Sequence, residues 1–405
     1  VHPLLVPAWA AAGAVARAVA ALPLPVTGKV SGTFALRRGI RARYAAWGAA
    51  HRDRSRPLLW MHAPSVGEGL QARIVLERAR PQHPEWQVAY THFSPSASAF
   101  ARDIGADFAD ALPFDTSGDA EASLDALAPS ALVFSKLDVW PVLVARAARR
   151  GVPLGMISAT LAPDSSRGGG LSRAALRDAY AALDAVGAVH EDDAERLVAL
   201  GVRRDAITVT GDTRYDQVWE RAGTVDPESP LLRPLASWRP TLVAGSTWPA
   251  DESVLFAAWP AVLARVPGAR LMIAPHEPSR GHLAAVEDWA REAGLSLARL
   301  SAGQLASADV ILVDRVGVLG QLYRLAGAAM VGGGFHGAGL HSVLEPAAFG
   351  APVVCGPRDP HQRDAARLAD VGGLVRVPDA LMLAAVLATW LGNPAERRAA
   401  GDAAR

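Results

Sequence analysis

From Leu58 onward the chain alternates short apolar runs with longer amphipathic stretches. Leu58-Leu59-Trp60-Met61, Gln87 to Thr91, Ala131 to Phe134, Leu154 to Ile157 and Ala188-Val189 predict strands, and the stretches between them carry helical spacing. Strands separated by helices imply parallel βαβ units. A second series follows at Thr241 to Ala244, Arg270 to Ile273, Val310 to Val313 and Ala329 to Val331. Between the two series lies Gly223-Thr224-Val225-Asp226-Pro227-Glu228-Ser229-Pro230, with the Pro, Gly and polar character of a linker. The pattern therefore predicts an N-terminal segment over 1–50, an α/β domain over 51–216, a linker over 217–239 and a second α/β domain over 240–385. A last helical stretch over 386–405 is expected to pack back on the first domain.

The first 25 residues are apolar but interrupted by Pro7 and Arg17, which suits a membrane span of about 20 residues poorly. No basic region precedes them, so they do not read as a signal peptide. Lys29, Arg37, Arg38, Arg41, Arg43, Arg52, Arg54 and Arg56 follow. An apolar element next to a basic cluster is expected either to seat the chain on an anionic membrane face or to be a core helix followed by a solvated loop.

A chain of 405 residues exceeds what one core usually organises, in keeping with two domains. Its 41 Lys and Arg against 40 Asp and Glu leave a net charge of +1, which argues against a general nucleic-acid binder. Cys355 is the only cysteine, which excludes an internal disulfide and a Cys-based zinc site.

The most informative stretch is His62-Ala63-Pro64-Ser65-Val66-Gly67-Glu68, where a strand passes through a small-residue turn into a helix. Glu68 falls at the start of that helix. There it can complement the helix dipole, or act as a general base at the carboxyl end of a strand, where open α/β sheets bind ligands. In the second half a strand leads into Gly332-Gly333-Gly334-Phe335-His336-Gly337-Ala338-Gly339, followed by His341, Ser342 and Glu345. Gly333, Gly334, Gly337 and Gly339 would let backbone N–H groups approach a phosphate. Ser246 and Thr247 follow a strand and either cap the next helix or face the cleft. Arg280 suits bidentate recognition of phosphate or carboxylate, or is a solvated surface arginine. Lys136 and Asp138 either pair with each other, or Lys136 meets an anionic group such as a lipid phosphate. Arg214 can supply cleft charge, while His62 and His341 read as ligands, acids or structural histidines. No His-Glu-x-x-His or Asp-x-Asp motif occurs, so no catalytic metal is expected.

The His62 to Glu68 segment resembles the H-A-x-S-x-G-E motif of the 3-deoxy-D-manno-octulosonic acid (Kdo) transferases. Further segments match in the same order: Pro113-Phe114-Asp115, Asp138-Val139-Trp140-Pro141, Gly211 to Asp216, Ala244 to Thr247, Pro275 to Arg280 and His341 to Pro346. The resemblance spans roughly Leu58 to Val375. It implies a GT-B fold, two Rossmann-like doubly wound domains facing a cleft, and an inverting, metal-independent transfer of Kdo from CMP-Kdo to a lipid A precursor. CMP-Kdo is then the donor substrate, with no further cofactor. On this reading Glu68 is the base; His62, Ser65, Gly67, Lys136, Asp138 and Arg214 line the acceptor side or cleft; and Arg280, the glycine loop, His341, Ser342, Glu345, Ser246 and Thr247 hold the donor. It also implies work at the cytoplasmic leaflet of the inner membrane. The chain departs from the family where Glu-Thr-Glu-x-Trp-Pro reads Lys136-Leu137-Asp138-Val139-Trp140-Pro141, where Pro-Arg-His reads Pro275-His276-Glu277, and where Gly-Gly-His-Asn reads Gly339-Leu340-His341-Ser342. Two other classes are weighed beside it: another GT-B nucleotide-sugar transferase or epimerase, and a catalytically silent lipid- or nucleotide-binding protein.

Overall fold

The structure is a computed structural model that describes residues 6–21, 28–162, 165, 167, 169–302, 305–337, 339–359 and 362–405. The chain divides into two compact units, Val1–Gln217 and Val218–Arg405.

The first unit is a seven-stranded parallel sheet of β1 (Leu58–His62), β2 (Gln87–His92), β3 (Phe108–Ala111), β4 (Ala131–Ser135), β5 (Leu154–Ala159), β6 (Ala185–Ala188) and β7 (Ile207–Val209). Its spatial order is β3-β2-β1-β4-β5-β6-β7. The second unit repeats the design with β8 (Thr241–Thr247), β9 (Arg270–Pro275), β10 (Leu297–Arg299), β11 (Val310–Leu312), β12 (Ala328–Val331), β13 (Val353–Cys355) and β14 (Leu374–Arg376), in the order β10-β11-β9-β8-β12-β13-β14. Every strand pair is parallel, so both units are doubly wound α/β sheets, as the alternation predicts. The first sheet's order reverses beside β1, between β2 and β4; the second's reverses beside β8, between β9 and β12, and β11 is inserted between β9 and the edge strand β10. Ligands of such sheets bind outside the carboxyl ends at that reversal.

β1, β2 and β9 are buried at every position, as strands covered on both faces are, whereas β5 and β6 alternate buried with partly exposed positions and β7 is largely exposed. β3, β7, β10, β13 and β14, of three or four residues each, were not among the expected strands.

The helix Val6–Ala21 docks on the first unit. The Arg17 guanidinium bonds the Thr116 hydroxyl at 2.5 Å and pairs with Asp119 at 3.2 Å, while Val15 on the other side is 63% exposed. The arginines after it do not form a free basic face. Arg41 pairs with buried Asp119, and Arg43 holds Asp110 through two bonds of 2.6 and 2.9 Å. Arg52 donates to the Leu127 and Ala128 carbonyls, and Arg56 to the Glu85 carbonyl. Arg37 is buried, its guanidinium 4.4 Å from the Phe93 ring centroid, and burial lowers its pKa to about 10.

Residues 217–239 are more ordered than a tether. The helix Thr213–Thr224 runs through their start, and Leu232 and Leu235 are fully buried in a core with Val243 and Met272. The 386–405 segment, expected against the first domain, belongs to the second unit. There Leu387, Trp390 and Leu391 pack with Trp259 and Val262, and Gly401 lies so close to Gly350 that a Cβ would stand 2.2 Å from its carbonyl oxygen.

Candidate functional site

In the first unit the functional side chains meet at the carboxyl ends of the adjacent strands β1 and β4. The helix Val66–Gln82 follows β1 directly, with Ser65 as its N-cap residue and Glu68 in its first turn. The Ser65 hydroxyl bonds the Glu68 carboxylate instead of a backbone N–H. From the end of β4, Lys136 reaches the other Glu68 oxygen at 3.4 Å. Burial would raise the Glu68 pKa, but the Ser65 bond and the Lys136 charge outweigh it and hold the carboxyl below its ordinary value. Glu68 is thus ionised through the neutral range, at the positive end of a helix.

Lys136 and Asp138 do not pair with each other. Lys136 has φ +59°, a left-handed conformation that turns the chain as it leaves β4, and so the two side chains reach different partners. Asp138 accepts from the Trp140 indole at 3.1 Å and meets His62 Nε2 at 3.1 Å. His62 is fully buried, and its Nδ1 lies 3.0 Å from the Thr91 hydroxyl. Burial would raise Asp138 as well, yet His62, Trp140 and Arg167 hold it below the usual carboxylate range. His62 therefore props Asp138 from behind, and Ser65, Glu68 and Lys136 form the front of the site. A Cβ on Gly67 would meet only the Ser65 hydroxyl, at an ordinary contact distance of 3.8 Å. Arg214, in the first turn of the helix Thr213–Thr224, is held by Asp212 just before that helix, at 2.8 and 2.7 Å.

In the second unit the corresponding place is the carboxyl ends of β8 and β12. Ser246 adopts φ +53° where the β8 register shifts, and Thr247 is buried with its hydroxyl donated to Glu252 at 2.7 Å. Neither caps the next helix, whose N-cap residue is Trp248. The glycine-rich loop is fastened from below by Asp251, a fully buried carboxylate accepting from Trp248 N at 2.9 Å, Gly333 N at 2.8 Å and Phe335 N at 3.0 Å. Of the four glycines expected to open the loop to a phosphate, Gly333 therefore has its N–H already used, as does Phe335 beside them. Gly334 is required by its approach to Gly356, where a Cβ would lie 2.5 Å from the amide nitrogen. Gly337 and Gly339, at the tip, have open space.

Beside the loop four rings stack. Trp248 lies between His336 at 4.7 Å and His276 at 4.8 Å, and His276 stacks on His341 at 4.5 Å. The Trp248 indole N–H donates to His341 Nε2 at 3.2 Å, and burial with the nearby His276 lowers the His341 pKa. Arg280, the first residue of the helix Arg280–Glu292, is exposed, and so is Ser342. Glu345, on the short helix Leu344–Ala348, is half-buried, with its pKa raised by burial against an opposing pull from Arg221 at 3.6 Å. Among the described residues no group of three or more His, Cys, Asp or Glu is placed to hold a metal ion.

Sequence reasoning missed Asp251, Trp248 and His336. Asp251 had a signal, an acidic residue three positions after the helix start that reaches back to the N-cap N–H. The ring stack had none, because its members come from three separate loops.

Comparison with known proteins bears on this geometry. Residues 38–217 match a family model described as 3-deoxy-D-manno-octulosonic-acid transferase (kdotransferase). The chain is 33% identical to the 3-deoxy-D-manno-octulosonic acid transferase of Bordetella pertussis over 370 residues, covering 86% of this chain and 82% of that protein. It is 30% identical to the transferase of the same description from Chlamydophila psittaci, covering 85% of this chain and 79% of the other. Among solved structures, UDP-GlcNAc 2-epimerase from Neisseria meningitidis superposes with a TM-score of 0.59 at 14% identity, covering 85% of this chain and 94% of that one. At that identity the likeness speaks for the fold alone.

Proposed function

The chain belongs to the 3-deoxy-D-manno-octulosonic acid transferase family, whose members are glycosyltransferases, and from that premise we propose that it moves Kdo from CMP-Kdo to a lipid A precursor with Glu68 as the general base. The observation that carries this reading is the placement of Glu68: at the reversal point of the first sheet, in the first turn of a helix, held ionised by Ser65 and Lys136. The acceptor hydroxyl oxygen attacks the anomeric carbon of Kdo, the bond from that carbon to the CMP phosphate oxygen breaks, and CMP leaves with the bonding electrons. The hydroxyl proton goes to Glu68 and the anomeric centre inverts. No covalent enzyme intermediate is needed, and transfer should persist in excess chelator.

Lys136 lowers the basicity of Glu68 in the free protein. An acceptor phosphate that draws the ammonium away would return basicity to Glu68 when the substrate is in place. The donor belongs to the second unit, with the tip of the glycine loop and Arg280 toward its anionic groups and Glu345 toward the ribose hydroxyls. The exposed apolar side of the helix Val6–Ala21 is the surface proposed to rest on the cytoplasmic leaflet of the inner membrane; no described helix is long and apolar enough to cross a membrane.

The test is incubation with freshly generated CMP-Kdo and a lipid A precursor, with mass analysis of the lipid. Kdo addition by the wild type is expected, and Glu68→Gln should reduce it by about 10² to 10⁴ while leaving CMP binding intact. A folded Glu68→Gln protein that transfers at the wild-type rate would exclude the base role.

A further inference from the structure

The amino end of the second sheet, opposite the glycine loop, carries a cleft of about 660 Å³. Four of its lining residues are arginines, Arg239, Arg265, Arg324 and Arg397, and none is a carboxylate. Arg239 is neutralised, since it donates to Asp309 at 2.7 Å and to the Gly268 carbonyl at 2.8 Å. Arg265 and Arg324 are exposed and have no hydrogen bond or ion pair among the described residues. Arg265 closes a helix, where a cation complements the dipole. Arg397, in the first turn of the helix Pro394–Ala404, where a cation is disfavoured, turns its guanidinium to the Trp390 carbonyl at 3.5 Å, in the last turn of the preceding helix Ala380–Gly392.

A fifth arginine lies behind the wall. Arg270 opens β9 and is 1% exposed; its Nε donates to the hydroxyl of Thr241, a lining residue, at 3.2 Å, and its buried Nη1 has no partner. Burial and the like charge of Arg239 push its pKa down to about 10, and no carboxylate acts on it. A buried cation without a counter-charge is costly to a fold. An anion in the cleft would supply the missing charge to this cluster. Trp238, 90% exposed at the same cleft, offers a ring to whatever enters.

We propose that this cleft is a second anion site, built for a phosphate-bearing ligand such as a diphosphate or a phosphate ester, and separate from the site at the carboxyl ends of the strands. Its volume lies in the range of small-molecule pockets and exceeds what a single inorganic ion fills. Guanidinium groups bind phosphate oxygens in pairs, and the arginines here come from different elements, so they are held apart at fixed positions by the fold. The phosphate can belong to a soluble molecule or to a lipid headgroup, and the chemistry of recognition is the same.

The test uses the full chain at fixed ionic strength with two probes, sodium pyrophosphate in calorimetry and thermal melts, and phosphatidylglycerol vesicles in sedimentation with phosphatidylcholine vesicles as control. Pyrophosphate should bind and raise the melting temperature, and the surface double variant Arg265→Glu/Arg324→Glu should weaken that binding at least tenfold while CMP affinity stays unchanged. Arg270→Met should melt higher than the wild type without pyrophosphate and gain less from it, a signature that simple loss of structure does not give. Sedimentation with phosphatidylglycerol vesicles alone, lost in the double variant and in Trp238→Ser, would assign the phosphate to a lipid; pyrophosphate binding without it would assign a soluble ligand. The proposal is overturned if the double variant binds both probes as the wild type does, or if neither probe binds the wild type.

Discussion

Replacing Lys136 by Met should raise the pKa of Glu68 and move the acid limb of the transfer reaction upward. The ammonium stands 3.4 Å from a Glu68 oxygen, and unit charges at that distance attract by about 1 kcal/mol in water and about 5 kcal/mol at an effective dielectric of about 20. Lys136 is 35% exposed and Glu68 20%, so solvent screens the pair and the low end applies. About 1.4 kcal/mol is one pKa unit. The sign follows from the folded state: Lys136 and Ser65 depress the Glu68 pKa, so removing the cation lets burial push it back up. A base must be deprotonated to work, hence the variant loses activity at a pH about one unit higher than the wild type does, while remaining active at neutral pH. The same depression means that the pair's contribution to stability is complete above the unfolded carboxylate pKa and disappears as pH falls through the lower folded value. Met retains the length of Lys and meets the same left-handed backbone at φ +59°, so charge is the main difference. The assay is kcat/KM for Kdo transfer from pH 4.5 to 8. Superimposed wild-type and variant profiles, or an acid limb that moves downward, would refute the role of Lys136 in setting the base.

Glu345→Ala should weaken CMP binding by about tenfold or more through lost ribose hydrogen bonds, read by calorimetry; unchanged affinity removes this residue from the donor site. Asp251→Ala leaves the N–H groups of Trp248, Gly333 and Phe335 without their acceptor and should cost on the order of 3 kcal/mol in denaturant unfolding. A midpoint equal to the wild type would show that the loop does not depend on that carboxylate. Val15→Glu, on the exposed side of the first helix, should lower sedimentation with anionic vesicles by about tenfold, whereas equal sedimentation would place the membrane contact elsewhere.

The alternation of apolar runs with helical stretches was enough to establish two parallel α/β units, because strands covered on both faces are apolar throughout and such runs stand out in a sequence. The same logic hid β7, β10 and β14, each three residues long, where a strand at or near a sheet edge needs no continuous apolar run. The motif around Glu68 was legible for a local reason, since a strand, a turn and a helix start follow one another in ten residues. What Glu68 touches was not legible. Lys136 lies 68 positions away and meets it because β1 and β4 are neighbours in the sheet and the backbone at Lys136 is left-handed, which parts it from Asp138. The basic run after the first helix had the composition of a membrane patch, yet Asp110, Asp119 and chain carbonyls take up much of it, because charge in a sequence carries no record of its partners. Glycines in the second half announced a tight loop, but only the fold shows Asp251 occupying its N–H groups, and only the fold gathers Trp248 with three histidines, or five arginines around one cleft. Local order along the chain is fixed by neighbours a few residues apart; charge state and ligand contacts depend on residues that only the closed sheet brings within a few ångströms.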